Sequence, residues 1–159
     1  MYDHVLVGTD GSITASRAVE SAARLAHAHQ AHLTIAHAFG PKGDLDIDPS
    51  LIPDELAWLR SPGTAAEVLV NAAVDLAQAV ACGALSVDAR AEVGSPLSVM
   101  RSLMRELQPD AVVVGNADAR RSIARRGLGA ALARRTHADI VIVDTSGVGG
   151  AGRARRSAA

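Results

Sequence analysis

The stretch from Asp110 to Asp144 decides the fold, and it reads DAVVVGNADARRSIARRGLGAALARRTHADIVIVD. It begins and ends with short apolar runs, residues 111–114 and 140–143, which are rich in β-branched residues and carry no charge. A segment rich in Ala, Arg and Leu separates them and has the composition of a helix. The pattern predicts a strand, a helical crossover and a second strand. Because both runs are continuously apolar, we expect a parallel sheet buried on both faces.

A loop rich in glycine and arginine follows the first of these strands. The chain turns at Gly115 and Asn116 and then reaches Gly127 and Gly129. Backbone N–H groups of such a loop, at the start of a helix, can bind an anion, so we expect any ligand here. Four arginines lie in the loop and fit two interpretations, phosphate ligands or a solvent-exposed face. They are Arg120, Arg121, Arg125 and Arg126.

Length and composition indicate one domain with a real core. The chain has 159 residues, of which 48% are hydrophobic and only 2% aromatic, so helices should lie close to the sheet. A net charge of -1 argues against a nucleic-acid partner, because nucleic-acid-binding domains usually carry a strong basic surface. Cys82 is the only cysteine, which excludes an intrachain disulfide.

The N-terminus and the hydropathy pattern bear on location. The first twelve residues, MYDHVLVGTDGS, have no basic region and only a three-residue apolar run, unlike a signal peptide. No apolar run approaches the length of a membrane span. We therefore expect a cytoplasmic, soluble protein without a membrane partner.

The chain before Asp110 alternates strands with helices. Residues 5–7 predict a first strand, which runs directly into Gly8, Thr9 and Asp10. Gly11 permits a positive φ in the turn, and Ser12 is a good cap for a helix over residues 13–29 with a mostly alanine face. The later predicted elements are a strand over 33–38, an irregular loop over 42–62 with one helical turn, a helix over 64–81, an edge strand over 85–93 and a helix from Pro96 to just before Pro109.

Two further signals mark the helix starts and the end of the domain. Thr64 and Glu67 have the spacing of a capping box for the helix over 64–81, and Ser95 with Pro96 begins the next helix. The last strand ends at Asp144, and residues 146–159 are rich in Gly, Ala and Arg without a periodic pattern. We expect a domain over residues 1–145 followed by a disordered tail.

These elements predict an α/β fold with a doubly wound five-stranded parallel sheet and helices on both faces. An early central strand and right-handed crossovers favour the strand order 3-2-1-4-5. In that order the winding reverses between the first and fourth strands, and a crevice lies over their carboxyl ends. The crevice would bring Thr9 and Asp10 close to Gly115 and Asn116.

Several kinds of site are excluded or disfavoured by their missing motifs. The only lysine, Lys42, lies in the long loop, so no Walker-type phosphate loop is present, and G-x-S-x-G is also absent. The pair Gly127 and Gly129 does not directly follow a strand, as a dinucleotide fingerprint requires. The histidines at 27, 29 and 32 lack the spacing of a zinc site, and we predict no metal. No general base is evident, so we expect no enzyme.

Asp10 fits two roles equally well from its position alone. At the end of a central strand, its carboxylate can accept hydrogen bonds from the hydroxyls of a sugar. It can equally tie the turn to the start of the following helix.

Three motifs together resemble the universal stress protein family. They are V-L-V-G-T-D-G-S at residues 5–12, V-G-S-P at 93–96 and P-D-A-V-V-V-G-N at 109–116. The likeness is closest to small single-domain bacterial members and extends over nearly the whole chain.

The resemblance implies the five-stranded doubly wound fold and a nucleotide site. Family members bind ATP or AMP, and some small ones bind cAMP. By analogy Asp10 would hold the ribose, Thr9 and Ala38 would flank the adenine, and Gly115 would begin the phosphate loop. Many members also form homodimers by pairing their last strands, here through Ile140, Val141, Ile142 and Val143. That strand would be an uncovered edge.

The loop that would bind the phosphates departs from the family pattern. The family loop has the form G-x2-G-x9-G-[ST], but its second glycine is Asp118 here, and its last pair is represented at best by Gly129 and Ala130, which keep the glycine and lose the hydroxyl. A carboxylate near a triphosphate is repulsive. Two hypotheses follow. One is a regulator that binds AMP, cAMP or ATP in a crevice with an altered phosphate loop. The other is a dimeric stress or interaction protein that binds no nucleotide.

Overall fold

The computed structural model describes residues 1–41, 51–116, 132, 137–144 and 155–157 of the protein. Its elements in chain order are β1 (His4–Thr9), α1 (Ile13–His29), β2 (His32–Phe39), a 3-10 helix (Asp54–Arg60), α2 (Pro62–Val80), β3 (Val87–Val93), α3 (Pro96–Leu107), β4 (Ala111–Asn116), β5 (Asp139–Asp144) and β6 (Arg155–Ser157). Strands and helices therefore alternate as the sequence predicts. The helix predicted between β4 and β5 falls outside the described residues, except for Leu132, which is helical and buried.

The strands form one sheet in the order β3-β2-β1-β4-β5-β6. The first five strands of the chain are parallel, which confirms the predicted order 3-2-1-4-5. β1 lies at the centre, with Val5 opposite Leu33 of β2 on one side and Ala111 of β4 on the other. The crossovers therefore wind outward from β1 in both directions, and the winding reverses between β1 and β4.

Successive side chains of the strands point to opposite faces of the sheet, and each face is covered by helices. On the first face, Val5 and Val7 pack with Val113 and with the buried side of α1 and α2. On the second face, Leu6 and Val112 pack with α3. The members of α3 in this second core are Val99, Met100 and Leu103.

Helix α1 approaches the sheet closely because its buried side is made almost entirely of alanine. Ala18, Ala22, Ala23 and Ala26 have no exposed surface, as the alanine-rich pattern predicts. The Ser12 side chain caps the helix by accepting a hydrogen bond from the Ala15 N–H at 3.1 Å. Helix α3 begins in the same way.

The predicted start of the second helix is wrong. Helix α2 begins at Pro62 rather than Thr64, so Thr64 lies inside the helix and cannot form the capping box with Glu67. Proline is well suited to the first helical position because its missing N–H has no helical partner there.

A short strand near the end of the chain lies at the edge of the sheet. Residues 155–157 form β6, which pairs antiparallel with β5. The sheet therefore has a sixth strand, which the sequence pattern does not predict. The β5 edge, expected to be uncovered, is occupied along Ile140–Ile142.

Among the described residues, no helix is both long and apolar enough to cross a membrane.

Candidate functional site

A cavity of about 220 Å³ lies over the carboxyl ends of β1 and β4, where the winding of the sheet reverses. This is the place where doubly wound sheets bind ligands. The turn after β1 and the end of β4 border the same cavity, as the predicted topology requires. The lining residues come from four segments of the chain and are Gly8, Thr9, Asp10, Ser12, Thr14, Ala15, Ala36, Ala38, Pro96, Val99, Met100, Val114 and Gly115.

The turn between β1 and α1 is held by hydrogen bonds from backbone N–H groups to its own side chains. The Ser12 N–H donates to Asp10 Oδ1 at 3.0 Å, and the Gly11 N–H donates to Thr9 Oγ1 at 3.2 Å. Gly11 has a φ of 76°, and an added Cβ there would lie 2.8 Å from Leu69 Cδ1. The backbone conformation therefore favours glycine, and a larger residue would also displace the Leu69 side chain. The turn presents Asp10 at the cavity in a defined position.

The Asp10 carboxylate is held in its ionised form. Partial desolvation opposes ionisation, but the pKa of Asp10 still lies below its usual value, because hydrogen bonds from the Ser12 hydroxyl and N–H outweigh this effect. His37 favours the ionised form further through its charge. An ionised carboxylate only accepts hydrogen bonds, so a ligand must offer donors to Asp10. Sugar hydroxyls are donors of this kind.

His37 supports the turn from the interior of the molecule. Its side chain is buried, and its Nδ1 lies 2.8 Å from the Thr9 carbonyl oxygen. Because a carbonyl oxygen only accepts, Nδ1 carries the proton in this contact. The imidazole also stacks on Phe39, with ring centroids 6.4 Å apart. His37 therefore packs beneath the turn and holds the backbone at the end of β1.

The cavity also has an apolar wall, of which only Ala38 was predicted as part of the site. It combines Ala36 and Ala38 of β2 with Val99 and Met100 of α3. Gly8 allows the close approach of α3, since an added Cβ would lie 3.3 Å from Met100 Sδ. The sequence identifies Met100 as part of a buried helical stripe, but nothing in the spacing shows that the stripe reaches the cavity. Gly8, near the end of β1, was the feature of the sequence that could have indicated this approach of α3 to the cavity.

The structure brings together four of the seven predicted site residues. Thr9, Asp10, Ala38 and Gly115 all line the cavity. Asn116 is the last residue of β4, directly after Gly115, and is not among the lining residues. Gly129 and Ala130 lie outside the described residues, as do Asp118 and the four loop arginines. The residues that the sequence assigns to the nucleoside half thus border one cavity, and their role is taken up as a proposal below.

The histidines near the end of α1 do not form a cluster of metal ligands. His29 Nδ1 accepts a hydrogen bond from the Tyr2 N–H at 3.1 Å, whereas His32 lies beside Ser86 and Asp88. Across the residues that the structure describes, no group of three or more His, Cys, Asp or Glu side chains could hold a metal ion.

Comparison with known proteins identifies relatives of the same fold. A model of the universal stress protein family matches residues 1–144. The universal stress protein Rv1636 of Mycobacterium tuberculosis (strain H37Rv) is 36% identical over 148 residues, which cover 91% of this chain and 98% of that protein.

Solved structures agree with this match. A universal stress protein in complex with cAMP is 31% identical, with a TM-score of 0.69, and the match covers 91% of this chain and 98% of the other. A universal stress protein family protein of Arabidopsis thaliana with AMP bound has a TM-score of 0.62, covering 88% of this chain and 90% of that one. At 15% identity the plant protein shows the fold alone. Matched along almost its whole domain, the chain belongs to the universal stress protein family.

Proposed function

We propose that this protein is a regulator that binds an adenine nucleotide, cAMP, AMP or ATP, in the cavity between β1 and β4. One observation carries the proposal: an ionised Asp10 and an apolar wall face the same cavity at the switch point of the sheet. The 31% identical universal stress protein that binds cAMP supports the choice of an adenine nucleotide.

The two sides of the cavity suit the two parts of a nucleoside. The adenine ring would lie against Ala38 and the α3 side chains Val99 and Met100, where an aromatic ring loses its contact with water. The ribose hydroxyls would donate to Asp10, and Thr9 would flank the base. Gly115, at the end of β4, would begin the loop around the phosphates.

The phosphate loop is expected to favour nucleotides with few charges. Asp118 replaces a family glycine, and Ala130 replaces a hydroxyl residue. A carboxylate near three phosphates raises the energy of the complex, while a single phosphate or a cyclic phosphate meets less repulsion. Loop arginines would then supply phosphate contacts in place of backbone groups. We therefore expect cAMP and AMP to bind more tightly than ATP.

The role that goes with this site is regulatory. We assign the protein no enzymatic activity and expect it to act in the cytoplasm through nucleotide-dependent contacts with other proteins. A homodimer through Ile140, Val141, Ile142 and Val143 is part of the proposal, although β6 occupies that edge in the structure.

Calorimetric titration of the full chain with cAMP, AMP and ATP tests the proposal. We expect binding of at least one nucleotide, and a rise in the free energy of unfolding of about 2.7 kcal/mol at a ligand concentration one hundred times Kd. Replacing Ala38 by Trp fills the cavity and should abolish binding. Ala89→Trp is a matched control, because Ala89 is an exposed alanine of β3 that does not line the cavity.

The alternative function has a clear signature. If none of the three nucleotides gives heat or raises the unfolding temperature, the nucleotide proposal is wrong, and the protein is an interaction protein without a nucleotide.

A further inference from the structure

We propose that Thr14 is a second acceptor for the ribose and that its hydroxyl distinguishes nucleotides with a free 3′-hydroxyl from 3′,5′-cyclic nucleotides. The inference rests on the proposed nucleotide site and assigns to it a residue that determines which class of nucleotide it prefers. Thr14 lies in the first turn of α1, where it borders the cavity together with Asp10 and Ser12. The residue is half-buried.

The hydroxyl of Thr14 is connected to the Asp10 carboxylate through Ser12. Thr14 Oγ1 lies 2.8 Å from Ser12 Oγ, and the Ser12 N–H donates to Asp10 Oδ1 at 3.0 Å. Partial burial raises the pKa of Asp10, but hydrogen bonds from the Ser12 hydroxyl and N–H bring it below its usual value. Because an ionised carboxylate only accepts hydrogen bonds, the Ser12 hydroxyl proton is directed at Asp10.

These contacts fix the direction of the hydrogen bond between the two hydroxyls. Ser12 has a single hydroxyl proton, which the Asp10 carboxylate takes. The Ser12 oxygen is left to accept from the Ala15 N–H, at 3.1 Å, and from Thr14. Thr14 therefore donates its own proton to Ser12 and accepts from a ligand with its remaining lone pairs. Like Asp10, it requires a hydrogen-bond donor on the ligand.

A ribose with both hydroxyls free offers two neighbouring donors to this side of the cavity. Because Asp10 and Thr14 both bond to Ser12, their oxygens border the same part of the cavity. The hydroxyl at O2′ would donate to Asp10, and the hydroxyl at O3′ would donate to Thr14. In cAMP, O3′ is esterified to the phosphate and has no proton to donate. The Thr14 hydroxyl should therefore raise the affinity for AMP and contribute nothing to the affinity for cAMP.

Calorimetric titration of the full chain and of its Thr14→Val variant with AMP, cAMP and 3′-deoxy-AMP tests this inference. We expect the wild type to bind AMP about three- to tenfold more tightly than 3′-deoxy-AMP, as one hydrogen bond between uncharged groups provides. Valine has nearly the size and the β-branching of threonine but no hydroxyl. Thr14→Val should lower the affinity for AMP to that for 3′-deoxy-AMP and leave the affinities for 3′-deoxy-AMP and cAMP unchanged.

A conservative variant and the comparison among ligands separate this role from a structural one. Thr14→Ser keeps the hydroxyl and should keep the preference for AMP over 3′-deoxy-AMP. Loss of that preference in Thr14→Ser, equal weakening of all three ligands by Thr14→Val, or an unchanged AMP affinity in Thr14→Val would overturn the inference and leave the nucleotide site in place. If the wild type binds none of the three ligands, the proposed function is wrong, and the inference is wrong with it.

Discussion

The two ends of the parallel sheet use polar residues in different ways. At the amino end, hydrogen bonds join separate elements. The Asp110 carboxylate, directly before β4, accepts from the N–H groups of Asp3 and His4 at 2.7 and 2.9 Å. The Tyr2 hydroxyl donates to Asp139 Oδ2 at 2.7 Å, which ties the N-terminus to β5.

At the carboxyl end, apart from the bond of His37 to the Thr9 carbonyl oxygen, the hydrogen bonds of the turn after β1 stay within a few residues of one another. Ser12 bonds to Asp10 and Thr14, and Gly11 bonds to Thr9. These short-range bonds fix the shape of the turn and leave a cavity in front of it. We infer that the amino end of the sheet contributes to the stability of the fold and that the carboxyl end contributes to ligand binding. Three experiments test this division.

The largest expected effect is on binding at the carboxyl end. Replacing Asp10 by Ala removes a charged acceptor for the ribose and should weaken AMP binding about ten- to a hundredfold, since hydrogen bonds to charged groups contribute about 1.5–3 kcal/mol. Calorimetry measures the change. Asp75→Ala, an exposed aspartate of α2, is the matched control.

A second ligand makes the Asp10 test specific. Wild-type protein should bind 2′-deoxy-AMP more weakly than AMP, and the difference should shrink in the Asp10→Ala variant, because the carboxylate no longer senses the hydroxyl. If Asp10→Ala leaves AMP affinity unchanged, Asp10 only ties the turn to α1.

The next effect is on stability at the amino end. Asp110→Ala removes two hydrogen bonds that join β1 to β4, and we expect the free energy of unfolding to fall by about 1–2 kcal/mol. Urea unfolding at neutral pH measures this change, and nucleotide affinity should not change. Asp110→Asn retains one acceptor and should lose less. A clear loss of affinity in Asp110→Ala would contradict the separation of the two ends.

The smallest effect is the pH dependence from His4. Burial and the nearby charge of His32 lower the pKa of His4 below 6.5, although the Leu107 backbone, Asp110 and Asp88 oppose this. The folded chain therefore binds this proton less readily than the unfolded chain. Its contribution to stability is complete above pH 6.5 and is lost as the pH falls through the lowered pKa.

Unfolding experiments between pH 7.5 and about pH 5 check this sign. His4→Gln should flatten the decline in stability on the acid side, whereas His27→Gln, at an exposed position of α1, should retain it. A decline of equal slope in His4→Gln and wild type would assign the pH dependence to other groups.

Most of the fold follows from local sequence patterns, whereas β6 does not. The apolar runs of β4 and β5 and the helical stripe of α3 carry enough information to set the strand order, because topology rules leave few alternatives. Residues 155–157 have no strand pattern of their own. They become a strand only because the edge of β5 lies within reach, and this depends on contacts distant in sequence.

The candidate site likewise contains residues that the sequence predicts and residues that it does not. Thr9, Asp10 and Gly115 were predictable because each directly follows or ends a central strand, and topology brings such positions together. Ala38 was placed by the family resemblance. Val99 and Met100 were missed because their contribution depends on how deeply α3 packs beside Gly8, which no spacing in the sequence expresses.

The alanine side of α1 limits how this site can diversify. The buried alanines have only methyl side chains, so α1 lies close to the sheet. A larger residue at Ala22 would therefore displace α1 together with Ser12 and Thr14 at its start. The ribose side of the cavity is therefore nearly fixed in depth. The α3 side consists of longer side chains, and Met100 adapts its shape easily. Relatives that acquire new ligands should therefore do so by changing α3 and keeping α1.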